Sequence, residues 1–542
     1  MQKNQKAHYF QPDWIETTDR TLHADVVIYG GTAAGVIAAK ALAERGRSVL
    51  ILNPAIVLGG MTTSGLGWTD FGKKGVIGGM SRQFYDDLGA YYGFEGTAWT
   101  FEPKAAQAVI DGYAEHENIT VLHKQFLAKV KLEGQRIQGI EMLGGLSASG
   151  RYFMDCTYEG DLLAKAGVSY AVGREANSVH GETINGVQVR PKHQFSHPVD
   201  PYVVEGDPSS GVLPWVNEAE PDQEGSGDHR IQAYNFRVCM TDDPDLKVDW
   251  VKPKGFRELD YELARRWFNT DTDDYNAHLP NKKNNDLPDP DSILRKFDVM
   301  DARTPNGFLK TDTNNHGPVS TDFIGANYAW PEASYAQREV MFQEHVEHIM
   351  GHFWFMANDP SIPEVYRKGY ARFGLPKDEF PETGHWPHQL YVREARRMVS
   401  DYVLTEKDTQ HIRQPEDPIA MGSYAMDSHN CQRFVKDGRV YNEGDVQLKP
   451  KAPYGISYRS ITPAQGECDN LFVPVCLSAS HIAFGSIRME PVFMALGESA
   501  AIAADMLLDQ QAAVQAIDYT ALAQQLENVG QILHYQRQST LG

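Results

Sequence analysis

Three stretches of this sequence predict an α/β fold built on a doubly wound, three-layer parallel sheet. ADVVIYGG, residues 24–31, is an apolar, β-rich run ending in glycines; TAAGVIAAKALAERG follows with helical apolar spacing, and SVLIL, residues 48–52, is a second short apolar run. MDCTYEGDLLAKAG, residues 154–167, reads as another strand-to-helix turn. NLFVPVCLSASH, residues 470–481, reads as a buried strand leading to the helix EPVFMALGESAAIAADMLLD, whose Pro491 falls in the first turn, where a missing N–H costs little. Strand, glycine turn, helix and strand in that order open a doubly wound sheet.

The remaining elements are justified in chain order. Residues 1–23 are polar, interrupted by Pro12, and predict a loose arm. Gly46 suits the cap of the first helix. ITVLHKQFLAKVKL, EGQRIQGIEML and GRYFMDCT, within residues 119–157, predict successive strands of a β-meander, and EGDLLAKAGV a short helix. Residues 172–330 are rich in Pro, Asp, Asn and Gly. Stretches such as PDQEGSGDHR and NKKNNDLPDPDS are too long for structureless linkers in a compact domain and predict ordered functional loops. Residues 332–358 and 388–405 read as helical.

The chain has 542 residues, more than one ordinary core accommodates, so two interleaved domains are expected. Its formal charge of −21 opposes nonspecific contact with nucleic acid or anionic membrane. No apolar run suggests a membrane span, and the opening MQKNQKAHYFQPDW lacks the basic-then-apolar order of a signal peptide, so a cytoplasmic location is expected. The five cysteines are scattered with no CxxC pair, which predicts neither a disulfide framework nor a zinc site. The 19 histidines show no HExxH or comparable two-ligand helix spacing, so no metal is expected, and no G-x-S-x-G elbow points to a hydrolase.

GGTAAG, Gly30–Gly31–Thr32–Ala33–Ala34–Gly35, is a dinucleotide-binding turn with Thr32 where the middle glycine of G-x-G-x-x-G belongs. Threonine holds the backbone farther from a pyrophosphate, although its hydroxyl could donate to one, and the helix N-terminus still presents N–H groups to an anion. Asn53, followed by Pro54, stands where a carboxylate usually accepts the ribose hydroxyls. Asparagine keeps one acceptor oxygen and adds a donor, so Asn53→Asp is expected to be tolerated. It also removes the repulsion of a 2′-phosphate, which leaves NADP open from this residue alone. LGGMTTSGLGWTDFG, residues 58–72, is a second glycine-rich loop that a dinucleotide running across the sheet would use.

GGTxAG, GGMTTxGLGWTD, the MDCTYEGDL turn and SASHIAFGSIRMEP together resemble the FAD-dependent oxidoreductases with a glutathione-reductase-type FAD domain. The resemblance runs from about residue 24 to 530. It implies a noncovalent FAD and a discontinuous, Rossmann-like FAD/NAD(P)-binding domain with an inserted α+β substrate domain. On this sequence that means an arm over 1–23, FAD-binding parts at 24–170 and 451–542, and a substrate region over 171–450. It carries cofactor contacts onto the first turn, Asn53 and Pro54, and onto Gly59, Gly60, Met61, Thr62, Thr63, Ser64 and Gly65. Thr157, Gly160 and Asp161 of the second turn, and Ser480, Ser486 and Glu490 near the last helix, complete the set. The family usually has an acidic residue at position 53.

Substrate oxidation by a flavin needs a base and groups that stabilise negative charge. His481 is the first candidate base, and Arg488 or the last helix N-terminus the candidate stabiliser of the reduced flavin. HWPHQLYVREARRM is expected to place His388 and Tyr391 on one helical face, with Arg393, Arg396 and Arg397 on others. MGSYAMDSHN brings Tyr424, Asp427 and His429 together, the last two as a proton-transfer pair. Asn314, Asn315 and His316 of TDTNNHG suit a polyhydroxylated ligand. The function expected is oxidation of a C–H bond, a carbinol, in a small polar, carbohydrate-like molecule by hydride transfer to flavin N5. The alternatives are a flavin-dependent isomerase or lyase without net oxidation and a noncatalytic FAD-binding sensor. The electron acceptor (oxygen, a quinone or a protein carrier) and the oligomeric state stay open.

Overall fold

A computed structural model describes residues 6–269, the backbone of 298–299, and 307–535. Its central element is a five-stranded parallel sheet. In chain order the strands are β1 (Val26–Tyr29), β2 (Val49–Asn53), β3 (Ile119–His123), β4 (Tyr152–Asp155) and β5 (Leu471–Phe472), and their spatial order is β5-β4-β1-β2-β3. Every residue of β1, β2, β4 and β5 is buried, as expected of strands covered on both faces. The fifth strand arrives more than 300 residues after the fourth, so the sheet is discontinuous in sequence.

Helix α1 (Ala33–Ala43) follows β1, and only Lys40 among its residues escapes burial. Its alanines allow α5 (Glu490–Gln510) to pack closely over it: a Cβ on Gly497 would lie 2.4 Å from the Ala34 carbonyl oxygen. That helix is long and apolar enough to cross a membrane, contrary to the expectation from the sequence, but 89% of its apolar window is buried in the core. Gly46 closes α1 with a left-handed φ of 78°.

The meander is smaller than expected. Leu127–Glu133, Arg136–Met142 and Ser147–Ser149 pair antiparallel, whereas ITVLH and YFMD join the parallel sheet as β3 and β4. Two further expectations need correction. Residues 388–405 form no helix: they run extended, Tyr391 N–H bonding the Asn235 carbonyl and Met398 N–H the Cys476 carbonyl. Pairing with distant backbone has overridden local helix propensity.

The described part of the N-terminal segment, from residue 6 on, is docked instead of loose. Both backbone N–H groups of Tyr9 and Phe10 donate to Glu339 Oε2, at 2.7 and 2.9 Å, on α3 (Tyr335–Asn358). The Tyr9 ring meets Trp330 edge-on at 5.0 Å, and Phe10 meets Phe126 at 4.9 Å. The loop NKKNNDLPDPDS lies outside the described residues. All five cysteines are buried and free.

Candidate active site

A groove crosses the C-terminal ends of the sheet strands, where an open α/β sheet binds ligands. Gly30, Thr32, Asn53, Pro54 and Thr157 line it, together with His8 and Tyr9 of the arm, Tyr158, Glu159, His388 and Gln389. Gly30 turns with φ of 102°, and a Cβ on Gly35 would lie 2.2 Å from the Gly30 carbonyl oxygen. The bare backbone therefore brings the N-terminus of α1 to the groove, an arrangement that favours a pyrophosphate. Ala33 and Ala34 form its buried first turn. The Thr32 hydroxyl does not point to a phosphate as expected. It donates to the Cys156 carbonyl at 2.7 Å and caps the helix by accepting Gly35 N–H at 3.4 Å.

Asn53 is occupied on every side. Its Oδ1 accepts the N–H groups of Gly31 (3.1 Å) and Ala55 (3.3 Å), and its Nδ2 donates to the Val57 carbonyl (2.7 Å) and toward His123 Nδ1 (3.3 Å). These partners fix the amide orientation and use both lone pairs and both hydrogens. An aspartate would set a carboxylate oxygen against the Val57 carbonyl. Asn53→Asp is therefore expected to destabilise the protein by about 1–3 kcal/mol, the reverse of the expectation from sequence. A thermal unfolding midpoint equal to wild type would refute that assignment.

The second glycine loop folds beside the groove. Gly59 N–H bonds the Gly31 carbonyl at 2.7 Å, and Gly59, Gly60 and Gly65 all adopt left-handed φ. Met61 N–H donates to the Tyr158 hydroxyl at 2.9 Å. That hydroxyl donates to Glu490 Oε1 at 2.7 Å, while Thr62 donates to Glu490 Oε2 at 2.8 Å. Burial pushes the Glu490 carboxyl up to about 7. Thr63 bonds the Leu58 carbonyl, and Ser64 accepts Gln389 N–H at 2.8 Å. A Cβ on Gly65 would collide with the Arg237 carbonyl at 1.8 Å, so this loop joins the groove to the polar cluster described below.

Several expected cofactor contacts are engaged within the protein. Asp155 accepts Thr157 N–H and hydroxyl and the N–H groups of Leu162 and Leu163, which builds the turn into α2 (Asp161–Lys165). Gly160 has φ of 71°, with Cys476 packed behind it. Asp161 is clamped by Arg338 at 2.7 and 2.9 Å and by Arg396 at 2.8 Å. Burial opposes its charge, but the two arginines outweigh burial and hold the carboxyl below its ordinary range. Ser480 donates to Glu182 and caps α4 (His481–Ile487); Ser486 bonds the Tyr424 carbonyl and the Tyr454 hydroxyl.

Tyr391, Arg393, Asp427, His429 and Arg488, five of the expected catalytic side chains, meet in one largely buried cluster. Arg488 donates to the Tyr391 hydroxyl (3.0 Å) and the Asp427 carbonyl (2.9 Å), and it lies 3.5 Å from the Asp427 carboxylate. Arg393 stands 4.8 Å over the Tyr391 ring and pairs with Asp322 at 2.9 Å. His429 Nδ1 meets Asp322 at 2.6 Å, and its Nε2 lies 3.7 Å from Asp427. Burial opposes charge on both aspartates. Arg393 and His429 outweigh it at Asp322, and His429 and Arg488 outweigh it at Asp427, so both stay ionised. Arg237 pairs with Asp312 behind them. Asn314 joins by accepting Arg393 at 3.1 Å; Asn315 bonds His193, and His316 N–H bonds Ser320.

The first-choice base is placed elsewhere. Both ring nitrogens of His481 are bonded, Nδ1 to Glu394 at 2.7 Å and Nε2 to Ser428 at 3.1 Å, and Glu394 is further held by Arg397 and Gln232. His388 lies in the groove wall with neither nitrogen hydrogen-bonded, and burial pushes its pKa down to about 3. Sequence reasoning misses Asp322 and Arg237 because neither belongs to a motif; only the fold brings them to His429 and Asp427.

The helix α3 carries His345, His348 and His352 on one face, a spacing overlooked in the sequence. Burial lowers all three pKa values, with those of His345 and His352 at about 4. Among the described residues only Glu102, Asp378 and Glu379 bring three ligand atoms within 4.8 Å, and the Lys310 ammonium already bonds all three at 2.8, 2.9 and 2.6 Å.

A family model described as FAD dependent oxidoreductase matches residues 25–526. No curated protein matches. Among solved structures, L-proline dehydrogenase from P. horikoshii is 16% identical with a TM-score of 0.24, over 29% of this chain and 59% of that one. THI4 of Thermovibrio ammonificans is 23% identical with a TM-score of 0.23, over 30% of this chain and 71% of that one. The groove fits the cofactor such a match implies: a tight turn through Gly30 and Gly31, a helix N-terminus, and a second glycine loop leading from it to a buried polar cluster.

Proposed function

The chain belongs to the FAD-dependent oxidoreductase family, and from that premise we propose that it binds FAD noncovalently and oxidises a carbinol of a small, polar, carbohydrate-like molecule. Bound FAD would supply a two-electron acceptor for hydride at N5. The chain would hold it through the Gly30–Gly35 turn, the start of α1 and the loop from Gly59 to Gly65.

The observation that carries the substrate reading is the polar balance of the cluster. Arg237, Arg393 and Arg488 are each paired with an aspartate, so these three leave no unpaired guanidinium for an anion. Yet Arg393 Nε, Arg488 Nε, Arg237 Nη1 and Asp427 Oδ1 are buried without a hydrogen bond. Buried donors and acceptors of this kind are normally satisfied. A neutral ligand bearing several hydroxyls would satisfy both kinds.

In this reading His429 accepts the hydroxyl proton of the substrate at Nε2. Asp322 holds Nδ1–H, fixing the tautomer and stabilising the imidazolium that forms. His481, bonded on both nitrogens, is a positioning residue: through Ser428 it holds the strand Met426–Ser428 that carries Asp427 and leads into His429. Arg393, Arg488 and Tyr391 orient the substrate. Anaerobic mixing of the flavin-loaded protein with a panel of sugars and polyols tests this. Stable bleaching of the flavin by one of them is expected. Turnover with only transient bleaching would favour an isomerase or lyase, and a flavin that no substrate or reductant changes would favour a sensor.

A further inference from the structure

Asn53 has no acceptor left for a ligand, and the same groove contains an acceptor that is not in use. Glu159 follows Tyr158 in the turn between β4 and α2 and lines the groove with Tyr9, Gly30 and Thr157. It is 6% exposed, and its Oε1 is buried without a hydrogen bond. Arg338, the cation that most favours its charge, is held by both oxygens of Asp161. The Trp330 indole N–H faces this carboxyl and favours its charged form, without closing a hydrogen bond of ordinary length. Burial raises the Glu159 carboxyl to about 7, with Arg338 opposing, and both protonation states keep an acceptor oxygen. A buried carboxyl oxygen with no bond of ordinary length, in a ligand groove, has room for a further donor.

We propose that Glu159 is the carboxyl group that receives a sugar hydroxyl of the dinucleotide, in the place of the acidic residue that position 53 lacks. The inference rests on the FAD reading above. Asn53 then plays a different part, tying the end of β2 to Gly31, Ala55 and Val57 and so fixing the glycine turn from behind. The exchange is chemically coherent. A carboxylate accepts a hydroxyl more strongly than an amide does, and Asn53 could accept one only by releasing a backbone N–H.

FAD carries such hydroxyls on its ribose and on its ribityl chain, and two ligands separate them. The experiment measures flavin release from purified holoprotein by the gain in fluorescence, for wild type, Glu159→Ala and Glu159→Gln, with unfolding midpoints alongside. Release is expected to be about tenfold to a hundredfold faster in Glu159→Ala, the size of a bond to a charged group, and to change less in Glu159→Gln, which keeps one acceptor oxygen. ADP displacing FAD locates the contact. Weaker ADP binding in Glu159→Ala supports the contact at the adenosine ribose; unchanged ADP binding, with the contact then on the ribityl chain, overturns the exchange of roles with position 53. Release at the wild-type rate in both variants overturns the proposal, whatever happens to the midpoints. Wild-type protein that never holds FAD would instead overturn the FAD reading.

Discussion

Gly35→Val is expected to yield protein that retains little or no flavin. The position sits where the first turn of α1 crosses the end of β1. Any Cβ there meets the Gly30 carbonyl at 2.2 Å and the Cys156 side chain at 3.3 Å. A contact under 3 Å with backbone cannot be relieved by a rotamer change, so the helix start must move away from the sheet. Overpacking of this kind costs about 1–3 kcal/mol of stability. The effect on binding should be larger, because the N–H groups of the helix start lose their common aim at one anion. At about 1.4 kcal/mol per tenfold, FAD affinity is expected to fall by about a hundredfold or more. Gly112→Ala is the control: it lies on an exposed helix face with nothing within 4 Å of the added carbon. Flavin absorbance relative to protein absorbance, compared for the two variants, reads the result. Equal flavin content in both would show that the turn does not shape the phosphate site.

His429→Ala is expected to keep its flavin and to reduce it about a hundredfold to ten-thousandfold more slowly, the range for loss of a general base. The fold should tolerate the change, since Asp322 keeps its 2.9 Å pair with Arg393. Asp322→Asn should slow reduction as well, because an amide can present its N–H to Nδ1 and trap the wrong tautomer. His481→Ala separates positioning from chemistry. It removes a neighbour of Glu394 and Ser428 and should lower the unfolding midpoint more than it slows reduction. Rapid-mixing measurements of flavin reduction distinguish the three. A rate unchanged in His429→Ala, with a large loss in His481→Ala, would return the base to His481.

Much of the sheet is legible in the sequence because its signals are local. VVIY within ADVVIYGG, VLIL within SVLIL and YFM ahead of DCT are continuous apolar runs with a glycine or a helix start close behind, the pattern of strands buried on both faces. The cluster of Tyr391, Arg393, Asp427, His429 and Arg488 shows in the sequence only as three separate motifs. What joins them is tertiary: residues near 390, 427 and 488 are brought together by pairings across tens of residues, which no spacing rule encodes. The same cause explains the failures. HQLYVREARRM has the composition of a helix, but its backbone is claimed by Asn235, Ser64 and Cys476. Asp161 matches a cofactor motif, yet Arg338 and Arg396 reach it from 177 and 235 residues away. A polar N-terminus reads as an arm until Glu339 accepts two of its N–H groups.

Asn53 shows the limit most clearly. Composition permits an amide to replace a ribose-binding carboxylate, and only the surrounding backbone reveals that the amide is already saturated. The substitution is therefore coupled to its surroundings: the role of the missing acid passes to another residue of the same groove, and the asparagine becomes part of the scaffold.

The absorption spectrum of the purified protein, followed by that of the supernatant after acid precipitation, tests the account most directly. The groove, both glycine loops and the Arg–Asp cluster predict the two visible bands of an oxidised flavin, released intact into the supernatant as FAD. Protein lacking both bands, and failing to acquire them when FAD is added, would contradict the cofactor assignment; bands that stay with the precipitate would contradict its noncovalent attachment.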